Sequence, residues 1–369
     1  MLPHILKDLF KKDKVQSQIV ADEPTISSLK QAASHKLTIS SSKTITLIGE
    51  DVEVMKDIRA QTLLHNRDNL SRTNAYLQFF KRNPEIHWAF LAHLVSRNGG
   101  YHMTDLKGGL VEHVLSVPRK KSYFSFLERA NALIFHDAYP QLLLYEKSKQ
   151  RKKNLFHLLP AFHVSVFMQI IWSYYMQVRN DSLLTLALII NEQHYIDQRV
   201  IHHPTYQKDV MDTWQFTLQE LLGFTRVLLP YYDKQNLKLT GVTVQQFDSV
   251  NKRIHVGKML YSLLFSHSSV FKGAAQFANM HTHTASRSDY APDFFSTSKK
   301  EKRIYSPSLQ TAWPIVHHSF FDQHDWFNHI SIMDELRRMP MTNLIDLTNE
   351  YMSKLTPLLL LSREDSDLM

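Results

Sequence analysis

Two short polar stretches hold the residues best suited to chemistry in this chain: HNRDNLSRT at 65–73 and SRNGGYHMTDLKGG at 96–109. The first supplies Arg67, Asp68, Asn69 and Arg72. The second supplies Ser96, Arg97 and Asn98, together with the pairs Gly99-Gly100 and Gly108-Gly109 in a chain that has 9 glycines. Between them the pattern predicts a helix over 84–98. At 100° per residue, Glu85, His93, Ser96 and Arg97 fall within about a third of its circumference, and the rest is apolar. A buried stripe of this kind needs partners, because an unpaired charge in a core costs several kcal/mol. Arg67, Asp68, Asn69 and Arg72 on the preceding helix can provide them. Two chemistries follow. Arginines oriented by Asp68 and Glu85 suit an anionic ligand. The same groups also suit a salt-bridge and capping network that locks two helices.

The glycine pairs match neither G-x-x-x-x-G-K-[ST] nor G-x-G-x-x-G, and no predicted strand precedes them. Gly99 reads as a helix stop. Gly108-Gly109 is harder to place: either a second loop intervenes and the helix begins near Leu110, or another helix or a ligand approaches the backbone closely there. A second candidate is the polar loop after a long helix, MHTHTASRSDYAPDFF at 280–295, with His281, His283, Arg287 and Asp289. No G-x-S-x-G and no cysteine is present, so a serine elbow or a thiol nucleophile has no support. Neither H-E-x-x-H nor E-x-x-H occurs. His113, followed 23 residues later by His136-Asp137, resembles the start of an HD-type phosphohydrolase signature. That alternative would need a divalent metal to activate water, with Asp197 as a further ligand by distance. No other cofactor is expected.

These residues need helices to position them. Asn69 is the expected cap of a helix to about Arg82, and NPE at 83–85 reads as the next helix start. Further helices are expected at 51–65, 104–117, 122–136, 139–150, 156–178, 182–201, 205–229 with Pro230 as its stop, 244–268, 324–339 and 343–362. Thr243 and Gln246 offer a capping box. The apolar stretches at 158–176 and 182–190 read as core helices. The class is all-α: a large multi-helix globular domain over 51–369, with 230–243 as the place where two subdomains would divide. Residues 1–50 read as a flexible N-terminal arm: an amphipathic segment at 1–12, then a polar linker with a short strand, KTITLI, within it.

The chain has 369 residues, 43% hydrophobic and 21% charged, which suffices for a large core. No cysteine fits a reducing compartment, and no secretory signal is visible. A cytoplasmic protein is expected, with peripheral membrane contact through residues 1–12. The net charge of +8 favours anionic partners, a ligand or a protein surface. The basic runs at 118–121, 147–153 and 298–303 lack any nucleic-acid-binding motif.

The stretch NRDNLSRTNAYLQFFKRNPEIHWAFLAHLVSRNGGYHMTDLKGG at 66–109, with NALIFHDAYPQLLLYEKSK at 131–149, resembles an uncharacterised family of bacilli, the YppC-like domain of unknown function. The resemblance covers most of the chain after residue 50. It implies a bacterial, cytosolic protein. It carries no established reaction, so no catalytic residue transfers with it. The leading expectation is a non-enzymatic binding or scaffold protein built around the Arg-rich seam.

Overall fold

The computed structural model describes residues 17–39, 49–111, 115–211, 226–244 and 246–367. The segment at 1–12, His113 and the strand expected near 43–48 lie outside them. The protein is predominantly helical, as its periodicity predicts. Its main helices are α1 (Glu23–Ile39), α2 (Gly49–His65), α3 (Asn69–Arg82), α4 (His87–Asp105), α5 (Val117–Arg151), α6 (Val166–Val178), α7 (Asp181–Ile196), α8 (Val250–Phe265), α9 (Ser268–Met280) and α10 (Thr348–Asp367). Among the described residues, three small two-stranded sheets accompany them. β1 (Ser17–Ile19) pairs antiparallel with β6 (Arg338–Pro340), and β2 (Arg226–Asp233) forms a hairpin with β3 (Asn236–Thr243). The two-residue strands β4 (Phe295–Ser296) and β5 (Ile304–Tyr305) run parallel.

α7 is the central strut. Every residue from Leu183 to Asn191 is buried, and α4, α5, α6 and α8 pack around it. A helix apolar on all sides can only sit in the middle of a core. The adjoining apolar stretch divides in two. A 3-10 turn at Phe156–Phe162 ends at His163, whose φ is 57°, and Ser165 then caps α6 by accepting from the Met168 N–H at 3.3 Å.

The polar stretch read as a linker contains α1. Ile26, Leu29 and Ala33 recur at helical spacing and are buried against α6 and the turn at 330–336. α3 keeps its expected bounds, but its cap is Asp68: the carboxylate accepts from the Ser71 N–H at 2.7 Å, and the Ser71 hydroxyl accepts from the Asp68 N–H at 3.1 Å. Asn69 is thereby free to reach another helix. Pro84 and Glu85 form a turn rather than a first helical turn. There Glu85 accepts from the Tyr145 hydroxyl and from Lys149, both at 2.7 Å. Instead of two helices broken near 137, α5 runs unbroken through Pro140, because buried apolar residues on both sides hold it in the core.

The largest departure is the β2–β3 hairpin, where a helix to residue 229 was expected. VLLPYYD against LKLTGVT places β-branched and aromatic residues in register, Val227 opposite Val242 and Tyr231 opposite Lys238. Gln246 adopts a φ of 52° instead of completing a capping box, and α8 begins only at Val250. The helix expected at 324–339 is irregular chain to His329, then a 3-10 turn at Ile330–Leu336 and the strand β6.

α4 does not stop at Gly99. It continues to Asp105 because Gly100 is a site of close packing, not a terminus. A β-carbon on Gly100 would fall inside contact distance of Asn69 Oδ1 and 2.7 Å from His283 Nε2. Gly108 and Gly109 meet β5: the Gly109 N–H donates to the Tyr305 carbonyl at 2.8 Å, and that oxygen lies 2.8 Å from where a Gly108 side chain would begin. Gly100→Ala is therefore expected to lower the unfolding free energy by about 1–3 kcal/mol, despite the better helix propensity of alanine. Urea denaturation checks this. A neutral or stabilising effect would contradict the packing role.

Candidate functional site

The structure merges the two candidate places into one buried network. Asn69 donates through Nδ2 to the Ser96 carbonyl at 2.8 Å, and its Oδ1 accepts from His283 Nε2 at 2.9 Å. Ser96 also meets the Thr73 hydroxyl at 2.8 Å. Arg97 donates to the His281 carbonyl at 2.9 Å and to the Tyr101 hydroxyl at 3.2 Å. It lies over the Phe277 ring at 4.7 Å and faces the Asp289 carboxylate at 3.5 Å. Asp289 also accepts from the Thr284 hydroxyl at 2.6 Å. Burial alone would raise the Asp289 carboxyl, but His283, Thr284 and Arg97 hold it below the usual range. Burial pushes His283 down to about 4, so it is a neutral hydrogen-bonding ring at physiological pH. His93 is held well below its usual range by burial and by Arg97, and bonds the Thr73 carbonyl at 2.8 Å.

The other members sit around this network. Arg287 grips Asp105 with three contacts of 2.6–2.8 Å and donates to the Tyr290 and Tyr351 hydroxyls. Arg72 pairs with Glu128 at 2.5 Å and with Asn66 at 3.1 Å. Asn98 completes the hairpin edge: it accepts from the Leu228 N–H at 2.9 Å and donates to the Leu228 carbonyl. Glu85 stands apart at the other end of α4. Arg67 is exposed and, with Asp68, borders a recess that includes Phe124, Glu128 and Trp313. Arg72, Arg97 and Arg287 are thus buried and engaged with internal partners, and they tie α3, α4, α5 and the loop at 281–290 together.

His136 and Asp137 diverge, as consecutive helical residues must. His136 stacks on Phe320 at 3.9 Å. Asp137 points into the core and accepts from Asn191 at 2.5 Å and Gln141 at 3.0 Å. Asp197 pairs with Arg253 at 2.5 Å. Among the described residues, no three His, Asp or Glu side chains converge in a group fit to hold a metal.

Sequence reasoning missed a pocket beside the network. It holds about 160 Å³ between α3, α4, α5, α7, α8 and the hairpin. Tyr76, Trp88, Leu91, Val95, Val227 and Leu260 form much of its wall, and Ser96 links it to the network. Its polar groups include Glu192, which accepts from Trp88 Nε1 at 3.1 Å and from Gln193 at 3.2 Å. The residue keeps some exposed surface, yet desolvation, reinforced by Asp137, pushes the carboxyl up to about 8. Burial likewise pushes Asp137 up to about 7. The Tyr76 hydroxyl is buried without a hydrogen-bond partner. The available signal was Glu192 itself, an acid two residues past the mostly apolar run that ends at Ile190.

Glu192 and Asp137 are protonated in the fold at pH values where the unfolded chain ionises them. The native state then binds more protons, so their contribution to stability falls as pH rises through this window. The buried histidines, lowered toward 4 in the cases of His136 and His283, act in the opposite sense but only below about pH 7, where the unfolded chain protonates them. Unfolding free energy is expected to drop by on the order of 1 kcal/mol between pH 7 and 8.5. Glu192→Gln should flatten that slope. An unchanged slope in the variant would show that Glu192 is not the group responsible.

No helix among the described residues is long and apolar enough to cross a membrane. No solved structure matches the chain. The chain is 41% identical over 303 residues to an uncharacterised Bacillus subtilis protein, YppC, covering 82% of this chain and 92% of that one. The model of a family described as a protein of unknown function, DUF2515, matches residues 64–351, a span that includes α3, α4, the buried network and the pocket. The chain belongs to this family, DUF2515.

Proposed function

We propose that this chain is a cytoplasmic, non-enzymatic binding protein whose ligand sits in the pocket beside Tyr76, Trp88 and Glu192. The Arg-rich seam is the frame that holds the pocket's walls. The observation that carries this reading is the pocket's composition: a mostly apolar recess between packed helices with a few convergent polar groups, the usual character of small-molecule sites. Its volume of about 160 Å³ is close to the roughly 150 Å³ that accommodates a benzene ring. α3, α4, α7 and α8 supply rigid walls, so the site is preformed.

The reading is tested by adding benzene as a minimal probe. At about ten times its Kd, a ligand that binds only the folded state stabilises by about 1.4 kcal/mol. Thermal unfolding should shift upward accordingly in the native chain. Ala92→Phe, which places a ring in the pocket wall, should abolish the response. A native chain indifferent to benzene at every concentration up to its solubility, or an unaltered response in the variant, would contradict the assignment.

A further inference from the structure

We infer that the ligand of this pocket is an uncharged, mostly apolar molecule carrying a carbonyl or similar acceptor oxygen, bound by the Tyr76 hydroxyl and the Glu192 carboxyl. This rests on the reading that the pocket binds a small molecule and names the class. The argument runs through the hydrogen-bonding capacity of the wall. Among the described residues, Arg253 is the cation that borders the pocket, and its donors are engaged. Nε donates to Gln193 at 3.0 Å, Nη1 to the Phe247 and Asp248 carbonyls at 2.8 and 3.1 Å, and Nη2 to Asp197 at 2.5 Å. An anionic ligand would therefore enter without a counter-charge, at high desolvation cost.

A cationic ligand fares no better. Both Glu192 oxygens already accept, one from Trp88 Nε1 and the other from Gln193 Nε2. What remains to Glu192 is its proton, which a desolvated carboxyl at neutral pH retains. Ionising it to meet an ammonium would put a charge into a desolvated wall. Tyr76 is 3% exposed and its hydroxyl has no partner. Tyr76, whose hydroxyl is a donor without an acceptor, and Glu192 therefore line one apolar pocket. A buried donor left unmatched is unfavourable, so a ligand bringing an acceptor oxygen gains where a hydrocarbon of equal shape does not.

The experiment compares four six-membered-ring probes by calorimetry on the full chain: cyclohexanone, methylenecyclohexane, cyclohexylammonium and cyclohexanecarboxylate. Cyclohexanone should bind about tenfold more tightly than methylenecyclohexane, the gain expected from a donor that finds its acceptor. The two charged rings should bind least. Tyr76→Phe should reduce the ketone preference and leave methylenecyclohexane affinity unchanged. Glu192→Leu should do the same, whereas Glu192→Gln, still a donor, should retain most of it. If methylenecyclohexane matches cyclohexanone, if a charged ring binds best, or if Tyr76→Phe leaves the preference intact, the ligand class is wrong while the pocket still binds. If no ring binds and benzene also fails, the binding reading itself falls, and the class with it.

Discussion

The contact on which the rest of this fold depends is the one at Gly100. α3 and α4 are a tightly packed helix pair, and only a residue without a side chain lets Asn69 and His283 lie against the α4 backbone. Asn69 is available because Asp68 has taken over the cap of α3. From that point polar contacts spread outward: His283 faces the Asp289 carboxylate, which pairs with the Arg97 charge and accepts from the Tyr101 hydroxyl, and Ser96 meets Thr73. A neutral His283 suits this position, since a second buried cation beside Arg97 would be unfavourable.

A buried network of this size is poor evidence of stability by itself, because each charge gives up its hydration on burial. Its effect is positional. Arg287 with Asp105, and Arg72 with Glu128, each bridge segments far apart in sequence. Removing one partner would leave an uncompensated charge, so alternative packings of α3, α4 and α5 are disfavoured. The result is a rigid wall on one side of the pocket, and α7 and α8 form the other. Tyr76 is held by an edge contact with Trp88 and a tilted one with Phe135, which orient its ring without giving its hydroxyl an acceptor.

Much of this was legible in the sequence, for physical reasons that differ by residue. The bounds of α3 follow from its periodicity and from Asn83 at its end, although Asp68 and not Asn69 is its cap. The burial of α7 follows from an unbroken apolar run. The need of Arg97 and Ser96 for partners follows from their place on a buried helix. The fate of Gly99-Gly100 was not legible, because a glycine that ends a helix and one that admits a neighbour look alike until the neighbour is known. Nor was the hairpin: LLPYY serves a helix end or a strand, and its pairing with LKLTGV settles the matter only in three dimensions. The pocket escaped for the same reason. Tyr76, Trp88 and Glu192 come from three helices, and each alone reads as an ordinary core residue.

The most direct measurement of the central claim, that the network frames a preformed apolar pocket, is a crystal structure under xenon pressure. Xenon occupies preformed apolar space without needing a chemical match. Density between Tyr76, Trp88, Leu91 and Leu260, with the surrounding helices unmoved, is the expected result. A pocket closed by the side chains around it, with no xenon there at full pressure, would contradict the claim.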